Sequence, residues 1–199
     1  MPGAGSAPRD GSSGRGPVIA VFGSSAGGPG DPGYEEARLC GRLLAEAGYT
    51  VATGGYGGTM EGCSRGAVEA GGWAIGVTAP AAFPDRPGPN RWVQEELPAA
   101  TITERIHTIL SLSAGCLALD GSIGTLTELV VAWNVAFVAA LAGAPGRPVV
   151  AVGPRWRSLV PQLAAAIGTN PAPVTLADDV AAAVAALARR VPCRPTAPR

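Results

Sequence analysis

The sequence predicts an α/β protein with a Rossmann-like, doubly wound and mostly parallel sheet. Two observations predict it: short β-branched apolar runs alternate with amphipathic stretches of helical spacing, and each of these stretches is long enough for a crossover helix. The 199 residues suit a single domain. We expect that domain over residues 17–191, between disordered tails at 1–16 and 192–199; the first tail is rich in Gly, Ser and Pro and lacks the apolar core of a signal peptide.

The elements of the first half follow from apolar runs and stop signals. The first strand, residues 17–23, is continuously apolar, and the helix at 34–47 ends at Gly48. Residues 79–100 form a long proline-rich connection, and connections of that length are usually functional or mobile. Between the helix at 34–47 and this connection we predict a second strand at residues 49–53, a helix at 59–70 closed by two glycines, and a third strand at 73–78.

The second half repeats this pattern around another glycine-rich turn. Its apolar helix, with apolar residues on every face from Leu126 to Leu141, carries Glu128 near its start. The other predicted elements are a helix at 102–113, strands at 115–119 and 148–152, and closing helices at 157–167 and 176–190.

Charge and composition exclude several classes of protein. Fifteen basic residues balance fifteen acidic ones, so no excess of charge indicates a nucleic acid or an anionic membrane as the partner. The chain contains no lysine, which excludes a pyridoxal phosphate Schiff base and a P-loop. Glu128 and Asn134 interrupt the longest apolar run, so we expect no membrane span.

Cysteine and histidine usage predicts neither a metal site nor a disulfide framework. The single histidine is His107, and the four cysteines show no CxxC spacing. We therefore expect reduced thiols in a cytoplasmic protein that needs no metal and no resident cofactor.

Three strand-to-helix turns are rich in glycine and indicate an anionic ligand. They span residues 23–28, 53–59 and 120–125, and parallel strands bring such turns to one edge of the sheet. Backbone N–H groups at a helix start can hold a phosphate, and the hydroxyls of Ser24, Ser122 and Thr125 add donors. For any one turn, glycine that only permits a tight bend is an equal alternative. None is a GxGxxG, so a mononucleotide is favoured over a dinucleotide.

Glu128 is the one carboxylate inside the apolar helix. A buried ionised group is costly unless it is paired or reaches a polar cleft. One turn into the helix, Glu128 can project towards whatever the turn at 120–125 binds. A glutamate that only complements the helix dipole is an equally good interpretation of this spacing.

Arg105 supports the functional interpretation of Glu128. It lies on the predicted helix that leads directly into the strand before the turn at 120–125. The alternative is a surface arginine that pairs weakly with Glu104, Glu95 or Glu96.

These residues resemble the LOG family, whose members are often mislabelled as lysine decarboxylases. The resemblance depends on residues 53–60 (TGGYGGTM), on Arg105 and on residues 121–128 (GSIGTLTE), and it covers roughly residues 17–155. It implies a Rossmann-like fold, a homodimer and a phosphoribohydrolase that releases the free base from AMP or a cytokinin riboside monophosphate. The absence of lysine argues independently against the decarboxylase label.

The resemblance also implies the site residues. Arg105 and Glu128 would carry catalysis, with the carboxylate stabilising the positive charge that develops on the ribose as the N-glycosidic bond breaks. The nucleoside monophosphate would contact Ser24 and the two motifs, at Gly54, Gly55, Gly57, Gly58, Thr59, Met60, Gly121, Ser122, Gly124 and Thr125.

The chain departs from the family pattern at several positions. Asp120 and Ser122 stand in a usual Pro-Gly-Gly, Ile106 replaces a basic residue, and Thr127 replaces a glutamate. A carboxylate at position 120 repels a phosphate unless it points away or receives hydrogen bonds. The departures at Asp120 and Thr127 favour the alternative function, a non-catalytic nucleotide or cofactor carrier that uses the same cleft. A nucleic-acid-processing protein of the same fold ranks last, because the chain is neutral.

Two segments have open interpretations. The stretch from Ala79 to Pro98, with Phe83 and Trp92, is either a lid over the base or an inert surface loop. Trp133 and Phe137 belong either to the core or, because their helix is apolar on every face, to a dimer interface.

Overall fold

The structure, a computed structural model, describes residues 15–86 and 88–193 and contains a seven-stranded sheet with helices on both faces. The strands are β1 (Val18–Phe22), β2 (Thr50–Thr53), β3 (Ala74–Thr78), β4 (Glu95–Pro98), β5 (Gly115–Ala118), β6 (Val149–Val152) and β7 (Val174–Ala177). The helices are α1 (Pro32–Glu46), α2 (Thr59–Glu69), α3 (Ile102–Leu112), α4 (Ile123–Leu141), α5 (Pro154–Ile167) and α6 (Val180–Ala188). Every neighbouring pair of strands is parallel, so the predicted doubly wound α/β class is confirmed.

The strand order is β4-β3-β2-β1-β5-β6-β7, so β2, β3 and β4 follow one another on one side of β1 and β5, β6 and β7 on the other. The order therefore reverses at β1. β1 pairs with β2 on one side and with β5 on the other, and Phe22 at the end of β1 lies opposite Ala118 at the end of β5. In open parallel sheets, ligands bind outside the carboxyl ends of the strands at such a reversal. The turns after β1 and β5 therefore flank the expected binding crevice.

The core has two layers, one on each face of the sheet. Successive side chains of β1 alternate between them: Ile19 and Val21 pack with α1, α2 and α6, while Ala20 and Phe22 pack with α3, α4 and α5. Because both faces are covered, the strands are continuously apolar rather than alternating. This is why a continuous apolar run predicted β1 correctly.

Two edge strands are absent from the sequence-based prediction. β4 lies inside the long connection that we expected over residues 79–100, and it pairs only with β3. Its sequence, EELP, is half exposed and has no apolar run. β7 precedes the last helix, which begins at Val180 rather than 176 because Asp179 caps it by accepting a hydrogen bond from the Ala182 N–H at 2.8 Å. α5 begins at Pro154, three residues earlier than predicted, since proline suits the first helical turn.

The predicted tails fall mostly outside the described residues, at 1–14 and 194–199. Arg15, which lies in the predicted first tail, contacts two residues of the domain. Its guanidinium carbon lies 3.8 Å from the ring centroid of Trp73, and its Nη1 lies 2.6 Å from Glu95 Oε2.

α4 packs against the sheet and also carries an exposed apolar face. Leu129, Ala132, Trp133 and Ala136 are buried in the core layer, which settles the position of Trp133. Within the described part of the chain, α4 alone is long and apolar enough to cross a membrane, a test that core helices also pass. The exposed apolar residues of α4 are Ile123, Val130, Val135, Val138 and Leu141.

Candidate functional site

A cavity of about 280 Å³ lies at the carboxyl ends of β1 and β5. Its walls come from the ends of β1 and β2, the connection after β3, α3 and the first turns of α4. The reversal of strand order leaves this crevice open, as expected for the fold. The lining residues are Val21, Phe22, Gly23, Ser25, Gly54, Met60, Phe83, Arg86, Arg105, Ser122, Ile123, Gly124, Thr125 and Glu128.

The first turn of α4 presents unsatisfied donors to the cavity. Ser122, at the N-cap, makes no side-chain capping bond, so the first N–H groups of the helix lack a side-chain partner. Thr125 is 2% exposed, and its Oγ1 has no hydrogen-bond partner within the described residues. A Cβ at position 121 would overlap the Thr125 side chain, so glycine there permits the tight approach. Buried donors that lack partners at a helix start suit an anion.

Asp120 is hydrogen-bonded and ion-paired beside this turn. Its Oδ1 accepts a hydrogen bond from the Gly121 N–H at 2.9 Å, and its carboxylate pairs with Arg155 of α5. Both side chains of this ion pair are more than half exposed, so water screens the pair. The hydrogen bond and the ion pair lessen the repulsion that Asp120 would exert on an anion at this turn.

Arg105 reaches the cavity because several contacts fix its side chain. Its Nε donates to the backbone oxygen of Val77 at 2.7 Å, and its Nη2 lies 3.7 Å from Met60 Sδ. Its guanidinium carbon lies 5.9 Å from the ring centroid of Tyr56. A Cβ on Gly54 would overlap the guanidinium, so glycine leaves the space that Arg105 occupies. Gly54 and Met60 therefore position Arg105 as well as lining the cavity.

Arg105 and Glu128 form a buried ion pair. Arg105 Nη1 lies 3.5 Å from Glu128 Oε1, and both residues are 8% exposed. Burial raises the pKa of Glu128 from its usual 4.5 to about 7, although the positive charge of Arg105 acts in the opposite direction. Burial also lowers the pKa of Arg105, an effect that the Glu128 carboxylate opposes. A carboxyl group that exchanges its proton near neutral pH can serve as an acid or a base.

The surface pairs considered as an alternative for Arg105 are not formed. Each acid has another partner: Glu95 pairs with Arg15, Glu96 accepts from the Thr78 hydroxyl at 2.6 Å, and Glu104 accepts from the Ala100 N–H at 2.8 Å. Arg105 instead lines the cavity.

Several predicted contact residues shape the loops instead of lining the cavity. The N–H and the hydroxyl of Thr59 each donate to the backbone oxygen of Ser24 at 2.9 Å, which ties the first two glycine turns together. Gly58 has a φ of 69° and packs against the backbone of residues 24–26, where a Cβ would clash. The predicted residues outside the cavity lining are Ser24, Gly55, Gly57, Gly58, Thr59 and Gly121.

An aromatic and cationic cluster, Tyr56, Phe83 and Arg86, closes the cavity on the side of the long connection. The rings of Tyr56 and Phe83 meet edge to face at 5.5 Å. The Arg86 guanidinium carbon lies 4.2 Å from the Phe83 ring centroid and 4.6 Å from that of Tyr56. The Tyr56 hydroxyl accepts from the Ala79 N–H at 2.8 Å, and the Asn90 side chain donates to the backbone oxygens of Gly55 and Tyr56 at 3.0 Å each.

The long connection is therefore fixed to the second glycine turn, and its two aromatic residues have different environments. Phe83 lines the cavity, whereas Trp92 stacks with Arg91 and Arg65 and does not line it. Sequence reasoning considered Phe83 and missed Arg86. The length of the connection was the only signal, and it does not separate Arg86 from Arg91.

No group of three or more His, Cys, Asp or Glu side chains is placed to hold a metal ion within residues 15–86 and 88–193. Cys40, Cys63 and Cys116 are buried thiols. Burial raises the pKa of Cys116 to about 12, so this thiol stays protonated near neutral pH.

The model of the SLOG cluster4 family matches residues 16–156. The chain belongs to this family. The match spans both glycine motifs, Arg105 and Glu128, and the LOG-family relationship inferred from those residues is confirmed. A comparison with curated proteins finds no match.

Several solved structures share the fold. A molybdenum cofactor binding protein from Rippkaea orientalis is 23% identical with a TM-score of 0.68, and the match covers 88% of this chain and 97% of that one. The molybdenum cofactor carrier protein of Chlamydomonas reinhardtii is 25% identical with a TM-score of 0.66, over 88% and 98% of the two chains. DNA processing protein A of Helicobacter pylori, at 12% identity, shares the fold alone, with a TM-score of 0.55 over 88% and 81%. The Rossmann-like fold is thereby confirmed.

Proposed function

We propose that this protein binds a phosphorylated small molecule in the cavity and carries it without altering it. The observation that carries the proposal is the buried, unpartnered Thr125 hydroxyl at the uncapped start of α4, which suits the phosphate of the ligand. The cavity of about 280 Å³ is near the lower end of the range for small-molecule sites, which suits a mononucleotide-sized ligand. The similarity to molybdenum cofactor carriers at 25–27% identity supports a carrier function.

A second function, the phosphoribohydrolase implied by the LOG resemblance, is favoured by one observation. Glu128 is buried in the same cavity, beside Arg105, with a pKa raised to about 7. In this reaction water adds to the anomeric carbon, the N-glycosidic bond breaks with its electron pair on the base, and the proton lost by water ends on the base. Glu128 would take that proton from water, while Arg105 orients the carboxylate.

Assembly and location belong to the same proposal. We propose a homodimer formed through the exposed face of α4, since contiguous apolar surface outside a core commonly marks an interface. We also propose a cytoplasmic location, where the buried thiols of Cys40, Cys63 and Cys116 stay reduced.

One experiment separates the two functions. Purified protein is titrated with AMP, GMP and a cytokinin riboside monophosphate by calorimetry, and each mixture is then analysed by chromatography for free base and ribose 5-phosphate. Binding without release supports the carrier, release supports the hydrolase, and neither binding nor release contradicts both.

The phosphate contact is tested with a matched pair of threonines on α4. Thr125→Val removes the buried hydroxyl and should weaken binding of every monophosphate at least about tenfold, since a charge-assisted hydrogen bond contributes about 1.5–3 kcal/mol. Thr127→Val is the control, because the Thr127 hydroxyl is exposed and donates to the backbone oxygen of Ile123 at 2.8 Å. Equal affinities of the two variants would contradict a phosphate at the start of α4.

A further inference from the structure

Arg86 stacks on two aromatic rings and has no acidic partner within residues 15–86 and 88–193. Its guanidinium stacks on both Phe83 and Tyr56, at 4.2 and 4.6 Å from their centroids, and it lines the cavity. Among the residues that the structure describes, no carboxylate forms an ion pair with it. A stacked, unpaired guanidinium in a ligand cavity is a donor group held in place for the ligand.

Arg86 is linked to Glu128, near the start of α4, through two intermediate side chains. Glu128 of α4 contacts Arg105, Arg105 lies over Tyr56, and Tyr56 lies under Arg86. A ligand whose phosphate meets Thr125 and whose middle part meets Arg105 would therefore bring its far end towards Arg86. In a mononucleotide-like ligand, that far end is the heterocyclic ring.

We infer that Arg86 selects ligands whose ring edge carries adjacent acceptors, an oxo group beside an unprotonated ring nitrogen. A guanidinium has five N–H donors and no acceptor, and its fork binds two such acceptors at once. Guanine and hypoxanthine present O6 and N7 in this way, and oxidised pterins such as neopterin present O4 and N5. Adenine presents an amino donor beside N7, so one N–H of Arg86 would face another donor. The inference deepens the proposed function and depends on the phosphate site at α4.

The test compares GMP, IMP, AMP and phosphorylated neopterin with the full-length protein and with Arg86→Met, which keeps an apolar side chain and removes the donors. Affinities are measured by calorimetry, and any ligand that is cleaved is compared by kcat/KM instead. We expect GMP, IMP or the pterin to be preferred over AMP by about tenfold or more, and the Arg86→Met variant to lose most of that preference. Arg91→Met is the matched control, because Arg91 belongs to the same connection and stacks on Trp92 outside the cavity lining.

The outcomes separate this inference from the proposed function. A preference that Arg86→Met removes and Arg91→Met keeps confirms the selectivity, and the preferred ligand then shows whether the oxo ring is a purine or a pterin. If AMP binds as tightly as the oxo ligands, or if Arg86→Met keeps the preference, the inference is overturned and the phosphate site is unaffected. If guanosine and neopterin bind as tightly as their phosphorylated forms, the proposed function is overturned, and this inference with it.

Discussion

Arg105 joins two parts of the cavity: its Nε donates to the backbone oxygen of Val77 at the end of β3, and its Nη1 lies 3.5 Å from Glu128 on α4. The two residues come from elements on either side of β5 in the chain. A guanidinium fixed at one end by a backbone carbonyl can orient the carboxylate at its other end.

Replacing Glu128 by glutamine tests the catalytic function of the carboxyl group. If the protein is a phosphoribohydrolase, Glu128→Gln should abolish release of free base and leave nucleotide affinity within about threefold, because glutamine keeps the shape and loses the charge and the exchangeable proton. Chromatography and calorimetry measure the two quantities. Glu61→Gln, outside the cavity lining, is the control; equal turnover by the Glu128 variant would remove Glu128 from the mechanism.

Gly54 is expected to tolerate no side chain while Arg105 is present. Gly54→Ala places a methyl group where the guanidinium lies, so the arginine must move away from Glu128. We expect a loss of stability of about 1–3 kcal/mol and ligand binding weakened about tenfold or more. Urea unfolding and calorimetry provide the measurements.

A neighbouring glycine supplies the control for this clash. At Gly57 a Cβ would meet no atom within 4 Å, so Gly57→Ala should be close to neutral. If both alanine variants behave alike, the effect belongs to the flexibility of the turn and not to the position of Arg105.

The raised pKa of Glu128 predicts a specific pH dependence of stability. Since the folded protein holds the proton up to about pH 7 and the unfolded chain releases it near 4.5, the folded state gains stability from this group at low pH and loses it as the pH rises through this interval. The difference in unfolding free energy between wild type and Glu128→Gln should therefore fall from pH 4.5 to 7, by at most about 1.4 kcal/mol per pH unit, and stay constant above pH 8. Urea unfolding at several pH values measures it. A difference that grows with pH would reverse the assigned direction.

The exposed face of α4 predicts the oligomeric state. Val130→Glu combined with Val138→Glu should convert a dimer to a monomer in light scattering, because each introduces a charge into the proposed interface. Ile167→Glu, at an exposed apolar residue of α5, should leave the dimer intact. A wild-type protein that is monomeric at working concentration would contradict the dimer.

The sequence predicted the elements that have strong local signals. Buried strands such as β1 are continuously apolar, and this pattern predicted most strands of the sheet correctly. Glycine stop signals predicted where helices end. β4 and β7 were missed because edge strands need only one partner and carry little apolar pattern. Arg105 and Glu128 were chosen as site candidates because they accompany the glycine motifs, and both line the cavity.

Other features of the site depend on contacts between distant residues, which spacing does not encode. The ion-pair partner of Asp120 is Arg155, on a helix that begins more than thirty residues later. Arg86 enters the cavity because Asn90 fixes the long connection to the turn that carries Tyr56. Neither pairing has a periodic or motif signal in the chain.

The cavity takes its walls from both sides of the strand reversal at β1. Tyr56 and Arg86 follow β2 and β3, whereas Thr125 and Glu128 follow β5, and within the sheet these two halves meet only at the β1–β5 ladder. A bound ligand would add a further connection between them, beside the one that Arg105 makes to Val77 and Glu128. By mass action, a ligand at a hundred times its Kd raises the unfolding free energy by about 2.7 kcal/mol. The supply of ligand in the cell would then govern how long each copy of the protein resists proteolysis, so that copies without cargo are degraded first.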